Sequence, residues 1–327
     1  MTMRRVTGID SLSDALEEPT ATAPLSRGRP HAWRSRLASR RVFIAASIAF
    51  VLLFYMTFQV FPILLTFMGS FFHWSPLQDR FDAAGLANYK NMLGDPLFAK
   101  ALWLNLYFTF GVVALRTVLG LAIALAIASV WMGKGFFRTF YFLPVIAPMI
   151  AVSLLWEQLY DPGFGLINMT LHAFGLMGEE PIRWLRDTDL AMPSVIIMTV
   201  WKEVGYAVVI FLAALAGVPR DLYEAARIDG AKRSQQFWLI TLPMIKPAMV
   251  FVVITSIISY LQAFGQIFIM TKGGPAYATF TTVYQIFDEA FVLYNFGKAS
   301  AISMSLFAIT LVLSLASIQI MGDDDGR

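Results

Sequence analysis

Arg116, Lys202 and Glu203 stand inside stretches of sequence that are otherwise almost wholly apolar. A charge at the centre of a bilayer is costly, so such residues pair with one another or face a cavity, and they mark a solute path, a relay or a structural ion pair. Tyr206 follows Lys202 and Glu203 by one helical turn. Further on, Ser256, Ser259, Tyr260 and Ala263 fall at i, i+3, i+4 and i+7, one polar and aromatic stripe on an oily helix. These types supply donors and acceptors for hydroxyls and an aromatic face for the apolar side of a ring, the wall that a hydroxyl-rich solute needs. Two other readings stand beside this one. Serines and small residues are common where membrane helices pack, and Glu203 can form a structural ion pair with Arg116. A pair between Lys202 and Glu203 is disfavoured, because neighbours in sequence do not face each other on a helix.

Other chemistries find no residues. The chain has no cysteine and only three histidines, His31, His73 and His172, which lie far apart and outside any H-E-x-x-H spacing. No G-x-x-x-x-G-K-[ST] phosphate loop occurs. No cluster of acids, bases or metal ligands suggests a membrane-embedded enzyme, so a non-catalytic role is expected, with no cofactor in this chain and no metal.

Spanning helices must position these residues. Charged residues make up 14% of the 327 and hydrophobic ones 57%, against about 25% charged in soluble domains. Six stretches are long and apolar enough to cross a bilayer: 42–68, 104–131, 137–159, 194–217, 246–270 and 299–321. Pro144, Pro148, Pro243 and Pro247 predict kinks or helix starts in the third and fifth. Residues 1–41 lack the apolar core of a signal peptide and are expected as a disordered tail, with a short helix around Ile9–Leu16. Sixteen of the 25 Lys and Arg lie in that tail, the 132–138 and 218–246 loops and the 322–327 end. The positive-inside rule then puts both termini in the cytoplasm. With basic residues sorted by side of a bilayer, the net charge of +3 gives no case for nucleic acid.

The 218–246 loop carries EAARIDGAKRSQQFWLITLPMIKP at residues 224–247. Pro219, Arg220 and Asp221 read as a helix start, Gly230 permits a break, and Ser234 is placed to cap a second helix. The predicted result is helix, glycine turn, helix, with small residues on a face that another protein could approach closely; a charged connector between spans is the alternative. Glu224, Ala225, Ala226, Asp229, Gly230 and Ala231, followed by Phe237, Ile240, Leu242, Pro243 and Pro247, match E-A-A-x-x-D-G-A and F-x-x-I-x-L-P-x-x-x-P at every position. This pattern resembles the coupling motif of binding-protein-dependent ABC transporter permeases.

The resemblance implies an all-α integral membrane protein of the type I ABC importer permease fold, six transmembrane helices with a cytoplasmic coupling helix between the fourth and fifth. It implies that Glu224 and Asp229 are acidic contacts to a separate ATPase, and that Gly230 and Ala231 give the turn and close approach. The implied partners are a second homologous permease, two ATPase subunits that bind ATP and Mg, and an extracytoplasmic solute-binding protein. The implied location is the cytoplasmic (inner) membrane of a bacterium or archaeon.

FLPVIAP (142–148), LYDPGFGLIN (159–168), WKEVGY (201–206), TKGGP (271–275) and GKASAIS (297–303) are similar to the carbohydrate uptake branch, of the maltose, trehalose and glycerol-phosphate type. That likeness implies a sugar or related polyol as solute and puts Lys202, Glu203, Tyr206, Ser256, Ser259, Tyr260 and Ala263 at lining positions, with Val145 and Met149 mapped there from the third span. The charges at 202 and 203 depart from the maltose permease pattern and open the site to an anionic or amino-bearing solute. The competing function is an ion-coupled secondary transporter with Arg116, Lys202 and Glu203 as its relay; no inverted repeat is visible in the sequence to support it.

Overall fold

The computed structural model describes residues 31–130 and 132–322, in two units that meet at Phe61 and Pro62. The helix expected around residues 9–16, the rest of the tail up to residue 30 and the end from 323 lie outside the described residues.

In the first unit a helix, α1 (His31–Tyr55), runs into a π-helical turn, Met56–Val60. It begins eleven residues before position 42, so residues 31–41, expected as unstructured tail, are helical. From Val42 to Phe58 its large apolar side chains are exposed, the state of a helix whose backbone polar groups are satisfied internally and whose flanks meet lipid.

The second unit opens with α2 (Phe61–Gly69), a two-stranded antiparallel hairpin of β1 (Phe72–Ser75) and β2 (Arg80–Ala83) paired Phe72 to Ala83, and α3 (Ala87–Leu93). There follow α4 (Pro96–Ser129), α5 (Lys134–Ile146), α6 (Met149–Leu159), α7 (Leu166–Ala173), α8 (Ala191–Ala216), α9 (Arg220–Ile228) and α10 (Arg233–Gln236). A π turn at Phe237–Thr241 leads into α11 (Leu242–Leu261), then α12 (Gly265–Met270), α13 (Thr282–Phe287), a π turn at Asp288–Val292 and α14 (Phe296–Gly322).

Among the described residues five helical stretches are long and apolar enough to cross a membrane: Val42–Gly69, Pro96–Ser129, Ala191–Ala216, Arg233–Leu261 and Phe296–Ala316. The expected third span is instead a pair, α5 and α6, bent by 96°. The cause is local: Pro148 lacks an N–H, and the residue before a proline leaves the helical region, as Ala147 does at ψ 140°. The expected fifth span, 246–270, is also corrected, since its helix begins with α10 and ends at Leu261. There the side-chain amide of Asn105 donates to the Leu261 carbonyl at 3.0 Å, satisfying one of the acceptors orphaned at a helix end.

The core is the contact of α4 with α8, where Phe108, Val112, Ala207, Val208 and Phe211 are fully buried. α5 crosses α8 so closely that a β-carbon on Gly205 would fall 1.9 Å from the Tyr141 carbonyl oxygen. Only a residue without a side chain fits there. At the other end of the bundle, Asp95 caps α4 by accepting from the Leu97 N–H at 2.9 Å. Its carboxylate also takes Lys298 of α14 at 2.9 Å, and the same ammonium pairs with Glu289. Burial alone would raise the Asp95 pKa, but the Lys298 ammonium and the Leu97 N–H outweigh it and hold the carboxyl below its ordinary value.

Candidate functional site: a tyrosine and arginine cavity

A cavity of about 500 Å³ opens between α4, the start of α6, α8, the end of α11 and the segment leading into α12. Of the sequence candidates, Glu203, Tyr206, Ser259, Tyr260 and Ala263 line it, and Met149 enters from α6. The structure brings those together because α8 and α11 both pack on α4, one on each side of Arg116.

Arg116 organises the wall. It is 5% exposed, yet reaches the cavity. Its Nε donates to the main-chain carbonyl of Glu203 at 3.1 Å and its Nη1 to Ser256 Oγ at 2.7 Å. The guanidinium lies 5.0 Å from the centre of the Tyr206 ring and 5.7 Å from that of Tyr260, within cation–π range of both. Hydrogen bonds from Nε and Nη1 to two different helices hold the guanidinium in place. The result is a polar, aromatic pocket suited to hydroxyls and ring faces.

Two candidates lie behind the wall. Ser256 is 1% exposed; its hydroxyl donates to the Val252 carbonyl and accepts from Arg116. Lys202, 4% exposed, donates to the Val145 carbonyl at 3.3 Å and pairs with Glu203 at 2.7 Å. Val145 lies in the last turn of α5, whose carbonyls the 96° break leaves without helical partners. Lys202 is thus a cap on a broken helix, at the end of the dipole that favours a cation. The disfavoured pair of sequence neighbours is the one that forms, and Arg116 meets the backbone of Glu203 rather than its carboxylate.

The sequence offers Arg116 as an ion-pair partner of Glu203 or a relay without setting it among the lining positions, and it does not single out Thr255, Gln262, Phe264 or Gln266, which also line the cavity. Two glutamines four apart in a greasy segment were the available signal.

The loop after α8 has the predicted form. α9 starts after Pro219, and Glu224, Ala225, Asp229 and Gly230 are exposed. Gly230 has φ 78°; its N–H bonds the Arg227 carbonyl at 3.1 Å, and the Ala231 N–H bonds that of Ala226 at 2.9 Å, a Schellman ending that favours glycine. Tyr223 joins Thr241 through their hydroxyls at 2.8 Å, tying α9 to the π turn. Ser234 does not cap α10; Lys232 precedes that helix and its N–H is taken by Gln235 Oε1 at 2.8 Å.

Residues 116–321 match the family described as binding-protein-dependent transport system inner membrane component. The chain is 34% identical to the probable ABC transporter permease protein YurN of Bacillus subtilis over 280 residues, 85% of this chain and 94% of that one. It is 34% identical to the diacetylchitobiose uptake system permease protein NgcF of Streptomyces coelicolor over 316 residues, 93% of this chain and 89% of that one. Its fold is similar to that of a chain in a bacterial ABC transporter involved in the import of the acidic polysaccharide alginate, with TM-score 0.75, 20% identity and coverage of 90% and 99%. With the matched region running from Arg116 through the glycine turn to the last span, the chain belongs to the inner-membrane permeases of binding-protein-dependent ABC importers.

Proposed function

We propose that this chain is one half of a translocation pore that moves a sugar or sugar derivative through the cytoplasmic membrane, driven by ATP hydrolysis on a separate subunit docked at α9. Both termini lie in the cytoplasm. A second homologous permease, two ATPase subunits and an extracytoplasmic solute-binding protein complete the assembly. The observation that carries the coupling step is α9 itself, a nine-residue helix with no buried residue, held in place by its Schellman turn and by Tyr223. A helix so firmly braced and so little covered supports docking by another protein, with Glu224 and Asp229 as its acidic contacts and Ala225, Ala226, Gly230 and Ala231 as the small ones.

The solute reading rests on the 500 Å³ cavity: Glu203, Tyr206, Ser259, Tyr260 and Ala263 meet the solute, Lys202 and Ser256 hold the wall behind them, and Arg116 joins the solute contacts. The diacetylchitobiose permease and the alginate importer fit a carbohydrate.

The test is uptake by the assembled transporter with Glu224→Lys or Gly230→Pro. Both are expected to abolish ATP-driven uptake while the protein stays in the membrane. Unaltered uptake at normal expression would remove α9 from the coupling path, and uptake driven by an ion gradient alone would make the chain a secondary transporter.

A further inference from the structure

A second cavity, of about 940 Å³, opens where α4 and α8 end, α5 begins and the α9–α10 loop folds back. Its walls are of two kinds. One is hydrocarbon from the spanning helices, including Leu125, Leu212 and Leu215. The other holds four cations: Lys134 and Arg138 on the first turns of α5, Arg220 opening α9 and Arg233 opening α10. Among the described residues no carboxylate lines the space. Among the described residues none of the four forms an ion pair or a side-chain hydrogen bond.

Four like charges around one concave space repel one another and raise a positive potential that calls for a counter-anion. A small soluble anion would satisfy the cations and leave the hydrocarbon wall wet. A molecule with an anionic head and an apolar body satisfies both, and the position of the space, at the ends of membrane-crossing helices, lies where such molecules are packed. We propose that this cavity holds the headgroup and upper acyl segments of an anionic phospholipid.

The consequence for coupling rests on α9 being the ATPase contact. α9 and α10 form one wall of the cavity and α5 and α8 the other, so an occupied cavity holds the loop against the spans. A bilayer without anionic lipid leaves the cations repelling across an empty space and the loop less firmly set.

The test counts bound lipid and needs no transport. The complex is purified in detergent, and phosphatidylglycerol or phosphatidylcholine of the same chain length is titrated while native mass spectrometry counts adducts on this subunit. Wild type is expected to take one phosphatidylglycerol at least tenfold more tightly than phosphatidylcholine. Lys134→Gln with Arg138→Gln, which lies off the α9–α10 loop, and separately Arg220→Gln with Arg233→Gln should each weaken it on the order of thirtyfold. Arg138→Lys with Arg233→Lys keeps the charge and should keep the adduct, which separates charge from damage to the fold. Equal phosphatidylglycerol binding by wild type and both neutralised pairs would overturn the proposal. Displacement of the adduct by excess inorganic phosphate would overturn it as well, in favour of a soluble anion.

Discussion

The Lys202 ammonium lies 2.7 Å from the carboxylate of Glu203, its neighbour in sequence, and 3.3 Å from the main-chain carbonyl of Val145 on another helix. Side chains at adjacent helical positions diverge, and these two meet because the end of α5 draws the long lysine across. Glu203 lines the cavity and Lys202 backs it, so the pair is a seam between cavity and scaffold.

Breaking that pair from one side strands a buried charge. Lys202→Met is expected to cost about 3 kcal/mol or more, and Glu203→Gln somewhat less because that carboxylate is partly open to the cavity. The double variant should recover much of the loss. A double-mutant cycle of thermal unfolding in detergent reads the coupling; strict additivity would show that the two do not act together.

Arg116→Gln removes a charged donor from Ser256 and from the Glu203 carbonyl, and takes the cation from between two tyrosines. A loss of about 1.5–3 kcal/mol of solute stabilisation is expected, a tenfold to hundredfold rise in the half-saturating concentration for uptake. Tyr260→Ala should move the same parameter. Unchanged uptake kinetics in both would take the cavity off the solute path.

Gly205→Ala is expected to destabilise the bundle by about 2 kcal/mol or more, since the added methyl meets the Tyr141 backbone, which cannot rotate away. Gly178→Ala, where a β-carbon meets nothing within 4 Å, should be neutral. Folded yield and melting temperature of the two variants compare them directly.

Asp95 titrates below the ordinary carboxylate range because Lys298 and the Leu97 N–H favour its ionised form over the cost of burial. A group lowered in the folded state stabilises above its unfolded value, near 3.9, and that stability is lost as pH falls through its depressed one. Asp95→Asn should therefore lower the melting temperature at pH 7 by the equivalent of about 1 kcal/mol, and its deficit should shrink in acid. A deficit independent of pH would mean that the cap, not the charge, is what matters.

Hydrocarbon content and the glycine turn were legible in the sequence, because each depends on residues close together along the chain. Five of the six expected spans emerged from length and apolarity, the third being a bent pair instead, and the helix, turn, helix form of the α9–α10 loop emerged from Pro219 and Gly230. Helix ends were not legible: α11 stops at Leu261, where Asn105, 156 positions away, takes the last carbonyl. The stripe of Ser256, Ser259, Tyr260 and Ala263 defines one face of a helix, but periodicity does not say which edge of that face is wet, and Ser256 turned inward to Arg116. Arg116 is legible in the sequence as an intramembrane charge but not as the organiser of the wall, because its partners lie 87 and 140 positions away. The cap that Lys202 places on α5 was invisible until the break after Ile146 exposed the carbonyl it serves.

That break sets the two halves of one bent span on different neighbours beside the 500 Å³ cavity. α5 is fastened to α8 through Gly205 and Lys202, whereas α6 packs on α12, sets Trp156 against Trp201 of α8 and brings Met149 to the cavity. Because Ala147 and Pro148 join α5 to α6 at 96°, the reach of Met149 into the pocket is set by the angle at two residues instead of by the length of one straight helix.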